Sequence, residues 1–216
     1  MRVAPLGVSR YTAVPIDALD REGAELAAIT HGHSLGYMPA AVLTHILHRI
    51  VYPERAQTLL QIVCEARDTV RALFAGDKHL DELTARIDLA IRLADNAEPD
   101  LANIHRLGEG WVAEETLAVA IYCALRHTGD FSASIIAAVN HCGDSDSTGA
   151  VTGNILGALL GYDAIGKAWT RDLELRDVIL ELADDLDRRP ECLQNCRNVD
   201  RDWTQKYVEG RALPTV

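Results

Sequence analysis

Asp144 and Asp146 lie two residues apart in the stretch from Asn140 to Gly161, NHCGDSDSTGAVTGNILGALLG, with the hydroxyls of Ser145, Ser147 and Thr148 interleaved. Carboxylate and hydroxyl oxygens are hard ligands, suited to Mg²⁺ or Mn²⁺. Placed at a helix start, the two anions also meet the positive end of the backbone dipole, and a cation would neutralise the remainder. The same residues would serve as a plain N-cap and first turn, with a side-chain oxygen accepting a backbone N–H. The Cys142-Gly143 turn before them and the glycine column after them favour metal binding. Gly149, Gly153, Gly157 and Gly161 recur every fourth residue. They predict a bare stripe on one helix face, open to close approach by another backbone.

A second constellation is Thr30 to Tyr37, THGHSLGY. Gly32, Ser34 and Gly36 would present backbone amides at a helix N-terminus, an arrangement that receives phosphate and other anions. His31 would hydrogen-bond a phosphate or ribose, and Tyr37 would stack on a base. From composition alone the same octapeptide reads as a turn between helices. Around Trp111, in GWVAEETLA, the acids Glu114 and Glu115 open a helix, where negative charge is favourable on electrostatic grounds alone. Trp111 reads by default as a buried aromatic. His45 and His48, spaced i, i+3 with no carboxylate partner close in sequence, read as core or surface histidines. Trp203 and Tyr207, spaced i, i+4, are expected to pack back onto the body of the protein. Cys192 and Cys196 lack a second Cys/His pair of matching spacing and fall short of a zinc site.

The elements that must position these residues are helical, since apolar residues recur with a period near 3.6 and strand alternation is nearly absent. Helices are predicted over Ile16–Ile29, Gly36–Val51, Glu54–Ala75, Leu80–Ala94, Glu114–Arg126, Phe131–Val139, Asp146–Leu160 and Leu173–Leu186. Long loops are expected over Pro99–Trp111 and after Arg188. The fold class is all-α, a compact multi-helix bundle forming a single domain over residues 1–216.

The 216 residues carry a formal net charge of −11. Such a charge argues against a general nucleic-acid or anionic-membrane surface, although backbone amides can still hold one phosphate-bearing ligand. Five cysteines without a tight framework suit free thiols in a reducing, cytoplasmic setting. No signal peptide is evident, and the apolar run Ile155–Leu160 is far too short to span a bilayer.

Taken together, the motifs resemble the ADP-ribosylglycohydrolase family. Family members carry a late G-G-D-[ST]-D-[ST] element opening a glycine-rich helix, matched by Cys142-Gly143-Asp144-Ser145-Asp146-Ser147. An M-R-x-x-P-[LI]-G element is matched by Met1 through Gly7, and a T-H-x-x-x-x-G-Y loop by Thr30-His31 through Gly36-Tyr37. The resemblance implies an all-α fold and a pair of Mg²⁺ or Mn²⁺ ions beside bound ADP-ribose. It also implies hydrolysis of a glycosidic bond at C1″ of the distal ribose, with ADP-ribose or an ADP-ribosylated protein as partner. By position, Asp144, Asp146 and Ser147 match metal ligands. His31 with Gly32, Ser34, Gly36 and Tyr37 matches residues that hold the diphosphate and ribose.

Two family elements, an early G-x-x-x-G-D-[AS] and a later T-D-D-[ST], do not occur here. They supply other metal ligands and a catalytic acid, so no catalytic residue is assigned. The expectation is a bundle lacking the family's N-terminal helices and of low activity alone. Self-association, or association with a chain supplying the missing part, is expected in consequence. The alternative is a catalytically incompetent ADP-ribose-binding or scaffold protein.

Overall fold

The computed structural model describes residues 2–9, 14–188, 201–207 and 209. Cys192 and Cys196 lie outside them. All regular secondary structure among the described residues is helical. The chain divides into two compact units, Met1–Leu173 and Glu174–Val216.

The first unit is built around two helices. Helix α3 (Ser34–Val51) buries Met38, Val42, Ile46 and Leu47 completely, and α7 (Ala113–Arg126) is buried without a break from Thr116 to Ala124. A helix apolar on every side belongs in a protein interior, and α7 is packed by α3, α5 (Leu80–Ala94), α8 (Phe131–Val139) and α9 (Ser145–Leu160). Helix α2 (Ile16–Ala28) lies along α3, where the missing side chain of Gly23 admits Thr44. A Cβ at Gly23 would sit 2.3 Å from the Thr44 hydroxyl.

Sequence periodicity matches α5 and α8 to the residue. It places the start of α4 (Leu59–Leu73) too early, at Glu54. Thr58 stops the helix from beginning sooner: its hydroxyl accepts the Gln61 N–H while the Gln61 side chain accepts the Thr58 N–H, a complete capping box. Two further helices occupy segments where no helix was predicted. Helix α1 (Ala4–Val8) opens with Pro5 in its first turn and rests Gly7 against Leu47. Helix α6 (Asp100–Leu107) interrupts the expected long loop, burying Asn103, Ile104 and Leu107 on one side. After α9 come a short 3₁₀ turn, Tyr162–Ala164, and α10 (Lys167–Thr170). There the Trp169 indole N–H donates to the Ser132 hydroxyl at 2.8 Å.

The glycine column of α9 is used differently from expectation. Side chains rather than a backbone meet its first turns: a Cβ at Gly149 would lie 2.6 Å from Val139 Cγ1, and one at Gly153 3.7 Å from Ile135 Cδ1. Among the described residues nothing lies within 4 Å of a Cβ at Gly157 or Gly161.

The second unit holds α11 (Arg176–Arg188) and α12 (Arg201–Tyr207). Lys206 ties the two together by pairing with Glu181 and Asp185, while the Trp203 and Tyr207 rings stand 4.3 Å apart. Among the described residues Cys64, Cys123 and Cys142 are free thiols. No described helix is long and apolar enough to cross a membrane.

Candidate functional site

A cleft of about 640 Å³ opens in the first unit. Arg2, His31, His33 and the backbone at Gly36 form one side, and Trp111, Glu114, Asp144 and Ser147 form the other. Leu43, Pro39, Leu117 and Val151 contribute apolar surface.

The acidic side is assembled by two glycine-bearing loops pressed together. Asp144 donates its N–H to the Glu109 carbonyl at 2.8 Å, and a Cβ at Gly143 would fall 1.8 Å from that same oxygen. No side chain fits there. Gly108 (φ +126°) and Gly110 (φ +79°) take left-handed conformations that carry the chain into α7. The Glu115 carboxylate accepts the N–H groups of Glu109 and Gly110, each at 3.1 Å, and stands 3.5 Å from Arg86. On the other loop, His141 Nδ1 accepts the Gly143 N–H at 3.1 Å, so the ring's proton sits on Nε2, which lies 2.9 Å from the Thr148 hydroxyl. Thr148 in turn donates to the Ala138 carbonyl at 2.7 Å.

Asp144 is the N-cap of α9 and also lines the cleft. Its carboxyl is held below the ordinary carboxylate range by a hydrogen bond shared with Asp146, with further help from the Ser147 hydroxyl and N–H. Asp146 is exposed, outside the cleft lining, and accepts the Ser147 N–H at 2.7 Å. Asp144 and Asp146 thus place two carboxylates on one turn. With Ser147, they form an oxygen-only donor set that suits one hard cation. The set is too small for two. Among the described residues no three His, Cys, Asp or Glu side chains are grouped to hold a metal.

The histidine loop is only partly as expected. Arg2 donates to the Leu26 carbonyl at 2.7 Å and to the Thr30 hydroxyl at 2.8 Å, and that hydroxyl is 2.7 Å from His31 Nδ1. His31 is thereby fixed at the cleft. Gly36 lines it too, and a Cβ there would press within 3.0 Å of His31 Cβ. Its N–H, expected to face an anion, donates instead to the His33 carbonyl at 2.8 Å. Ser34 is buried and hydrogen-bonds Asp77, while Gly32 is exposed outside the lining. Tyr37 also lies outside it, 5.8 Å from the Phe74 ring and hydrogen-bonded to Asp77.

Sequence reasoning passed over three features. Trp111 is 66% exposed at the rim, its indole N–H donated to Glu109 at 3.1 Å, where burial was expected. Glu114 is a buried acid facing the cleft, and burial pushes its carboxyl above the ordinary range. His45 does have a carboxylate partner: Asp20, fully buried on α2, lies 2.7 Å from its Nδ1, with Glu65 at 3.6 Å from Nε2. The i, i+3 spacing of His45 and His48 drew attention to α3, and the missing signal was the acid contributed by α2.

The family model for ADP-ribosylglycohydrolase matches residues 1–195. The chain is 26% identical over 193 residues to ADP-ribosylhydrolase ARH3 of Homo sapiens, covering 81% of this chain and 52% of that protein. It is 24% identical over 206 residues to ADP-ribosylhydrolase ARH3 of Gallus gallus, covering 83% and 56%. A shorter match, 40% identical over 72 residues, joins it to ADP-ribosylarginine hydrolase Tri1 of Serratia proteamaculans, covering 33% and 19%. The chain thus spans about half the length of the two ARH3 proteins. With a family model over most of its residues and an all-helical fold, the chain belongs to the ADP-ribosylglycohydrolase family.

Proposed function

We propose that the cleft takes the ADP-ribosyl group of a modified protein or small molecule and that the bond at C1″ of the distal ribose is hydrolysed there. One observation carries this reading: Asp144 and Ser147 line the same cavity as Arg2 and His31, although the two groups are far apart in sequence. Arg2 offers a charge-assisted donor, and His31 and His33 ring nitrogens, of the kind a diphosphate requires. Trp111, exposed at the rim and held by Glu109, presents a flat face on which a base can stack. Asp144, Asp146 and Ser147 would hold Mg²⁺ or Mn²⁺. Bound there, the ion would supply positive charge to orient ribose hydroxyls and acidify a water. Gly32, Ser34, Gly36 and Tyr37 shape the histidine loop rather than donate to the ligand directly. No residue of this chain is assigned as the catalytic acid, so turnover by the chain alone is expected to be low. A second copy, or another chain, would complete the ligand set for a second ion.

The test is binding and turnover together. Calorimetry with ADP-ribose should give Mg²⁺-dependent binding that Asp144→Ala removes, with only slow release of ADP-ribose from a modified protein. Retention of metal-dependent binding in D144A would refute the assignment. A second reading, an ADP-ribose-binding scaffold without turnover, draws on the lack of a three-ligand metal group among the described residues. Binding that is indifferent to Mg²⁺ supports it.

A further inference from the structure

Glu115 is the third residue of α7, the position from which a glutamate commonly reaches back to the amide of the cap residue. Val112 is that cap and has no hydroxyl to complete the exchange. The carboxylate reaches further back along the chain instead. Its Oε2 accepts the N–H groups of both Glu109 and Gly110, and its Oε1 stands 3.5 Å from Arg86 of α5. Arg86 also donates to the carbonyl of Leu107, the last residue of α6. Gly108 makes room for the carboxylate, since a Cβ there would lie 2.3 Å from Glu115 Cδ.

The two amides held in this way belong to the segment that carries the acidic side of the cleft. The Glu109 carbonyl accepts the Asp144 N–H at 2.8 Å, and the Glu109 carboxylate accepts the Trp111 indole N–H at 3.1 Å. A Cβ at Gly110 would lie 2.8 Å from Thr148 Cγ2, so the loop presses on the first turn of α9. Trp111 and Asp144 line the cavity, and Glu115 stands behind them. A loop with two left-handed glycines has many conformations open to it, and two charge-assisted bonds to one oxygen select among them. Thr116 supplies a separate anchor, its hydroxyl donating to the Gly110 carbonyl at 2.7 Å. A change at Glu115 therefore leaves the loop attached and alters its setting.

We propose that Glu115, braced by Arg86, is a positioning residue: through Glu109 and Gly110 it fixes Trp111 and Asp144 relative to one another, so that one ligand can meet both. The proposal rests on the cleft being the ADP-ribosyl site. Its test is Glu115→Gln, a change of equal shape whose amide can keep the loop bonds only by turning its NH₂ toward the Arg86 guanidinium. Mn²⁺ affinity and the spectrum of the bound ion are read by electron paramagnetic resonance, and ADP-ribose affinity in Mg²⁺ by calorimetry. E115Q should weaken Mn²⁺ by about ten-fold, the low end of what is lost when a partner behind a metal ligand is removed. ADP-ribose should weaken with it, and the Mn²⁺ spectrum at full occupancy should change. A drop in stability alone would reduce the number of folded sites and leave the affinity and spectrum of each unchanged. Native affinities and a native spectrum in E115Q overturn the proposal and leave the reading of the cleft intact. If the native chain binds neither Mn²⁺ nor ADP-ribose, that reading falls and the proposal with it. Should E115Q not fold, Arg86→Lys keeps the charge and gives up the planar fork that braces Oε1. The same spectral change with a smaller loss of affinity supports the proposal, and an R86K protein indistinguishable from the native chain defeats it.

Discussion

The Glu109 carbonyl and Gly143 fit together so closely that the Asp144 N–H bonds that oxygen at 2.8 Å while any Cβ at residue 143 would lie 1.8 Å from it. The loop before α7 and the acidic turn before α9 therefore form one joint. Gly143→Ala should separate them, and since both sides are backbone there is no flexible side chain to yield. We expect a loss of about 3 kcal/mol in urea unfolding, at the upper end of overpacking costs, together with loss of ADP-ribose binding. A G143A protein as stable as the native chain would contradict this fit.

Asp20 and His45 pin α2 to α3 in a fully buried pair. Burial raises the Asp20 carboxyl above its ordinary range despite His45. For an acid raised in this way, the folded state binds more protons than the unfolded one. The contribution of Asp20 is therefore favourable in acid and declines as pH climbs from the ordinary carboxylate value through the folded one. Removing one partner leaves the other buried and alone. Asp20→Ala should lower stability by about 3 kcal/mol. The double variant with His45→Ala should lose less than the two single losses added together. Strict additivity in that cycle would show that the pair is not coupled.

The Asp144 carboxyl lies below its ordinary range and so remains ionised across the whole interval above it. Its attraction for a cation is lost only when pH falls through that depressed value. Mn²⁺ binding, followed by electron paramagnetic resonance, should accordingly stay level from about pH 8 to about pH 5 in the native chain. It should be weak throughout in D144A. A steep fall across that interval in the native chain would place the binding elsewhere.

Thiol labelling should separate the cysteines by burial. Cys142 is exposed on the acidic turn, whereas Cys123 is fully buried in α7 and its thiol is pushed far up by desolvation. Thiolate is the reactive form. A maleimide should therefore modify Cys142 within minutes and leave Cys123 untouched until denaturant is added, as peptide mass mapping would show. Early labelling of Cys123 would mean that α7 opens readily.

Much of this architecture was legible in the sequence because it is local. The stripe Leu80, Leu83, Ile87, Ala90 defines α5, and the order of the family elements identified the acidic turn and the histidine loop. What escaped depends on contacts between distant elements. Glu114 and Glu115 are equivalent as first-turn acids, yet packing turns one toward the cleft and the other toward Arg86. Helix α6 has barely two turns, and Pro99 before it reads as a loop residue until Asn103 is found bonded to Asn96 and Tyr122. Thr58 and Gln61 carried a readable signal in their spacing, and the apolar period running on toward Glu54 obscured it.

The ring of His141 has no lone pair to spare. One nitrogen is occupied by the Gly143 amide and the other carries the proton facing Thr148. The acidic turn therefore has an imidazole within a few residues of its carboxylates and yet offers an incoming ion nothing but oxygen. Nitrogen-seeking ions such as zinc or copper gain no foothold from that ring.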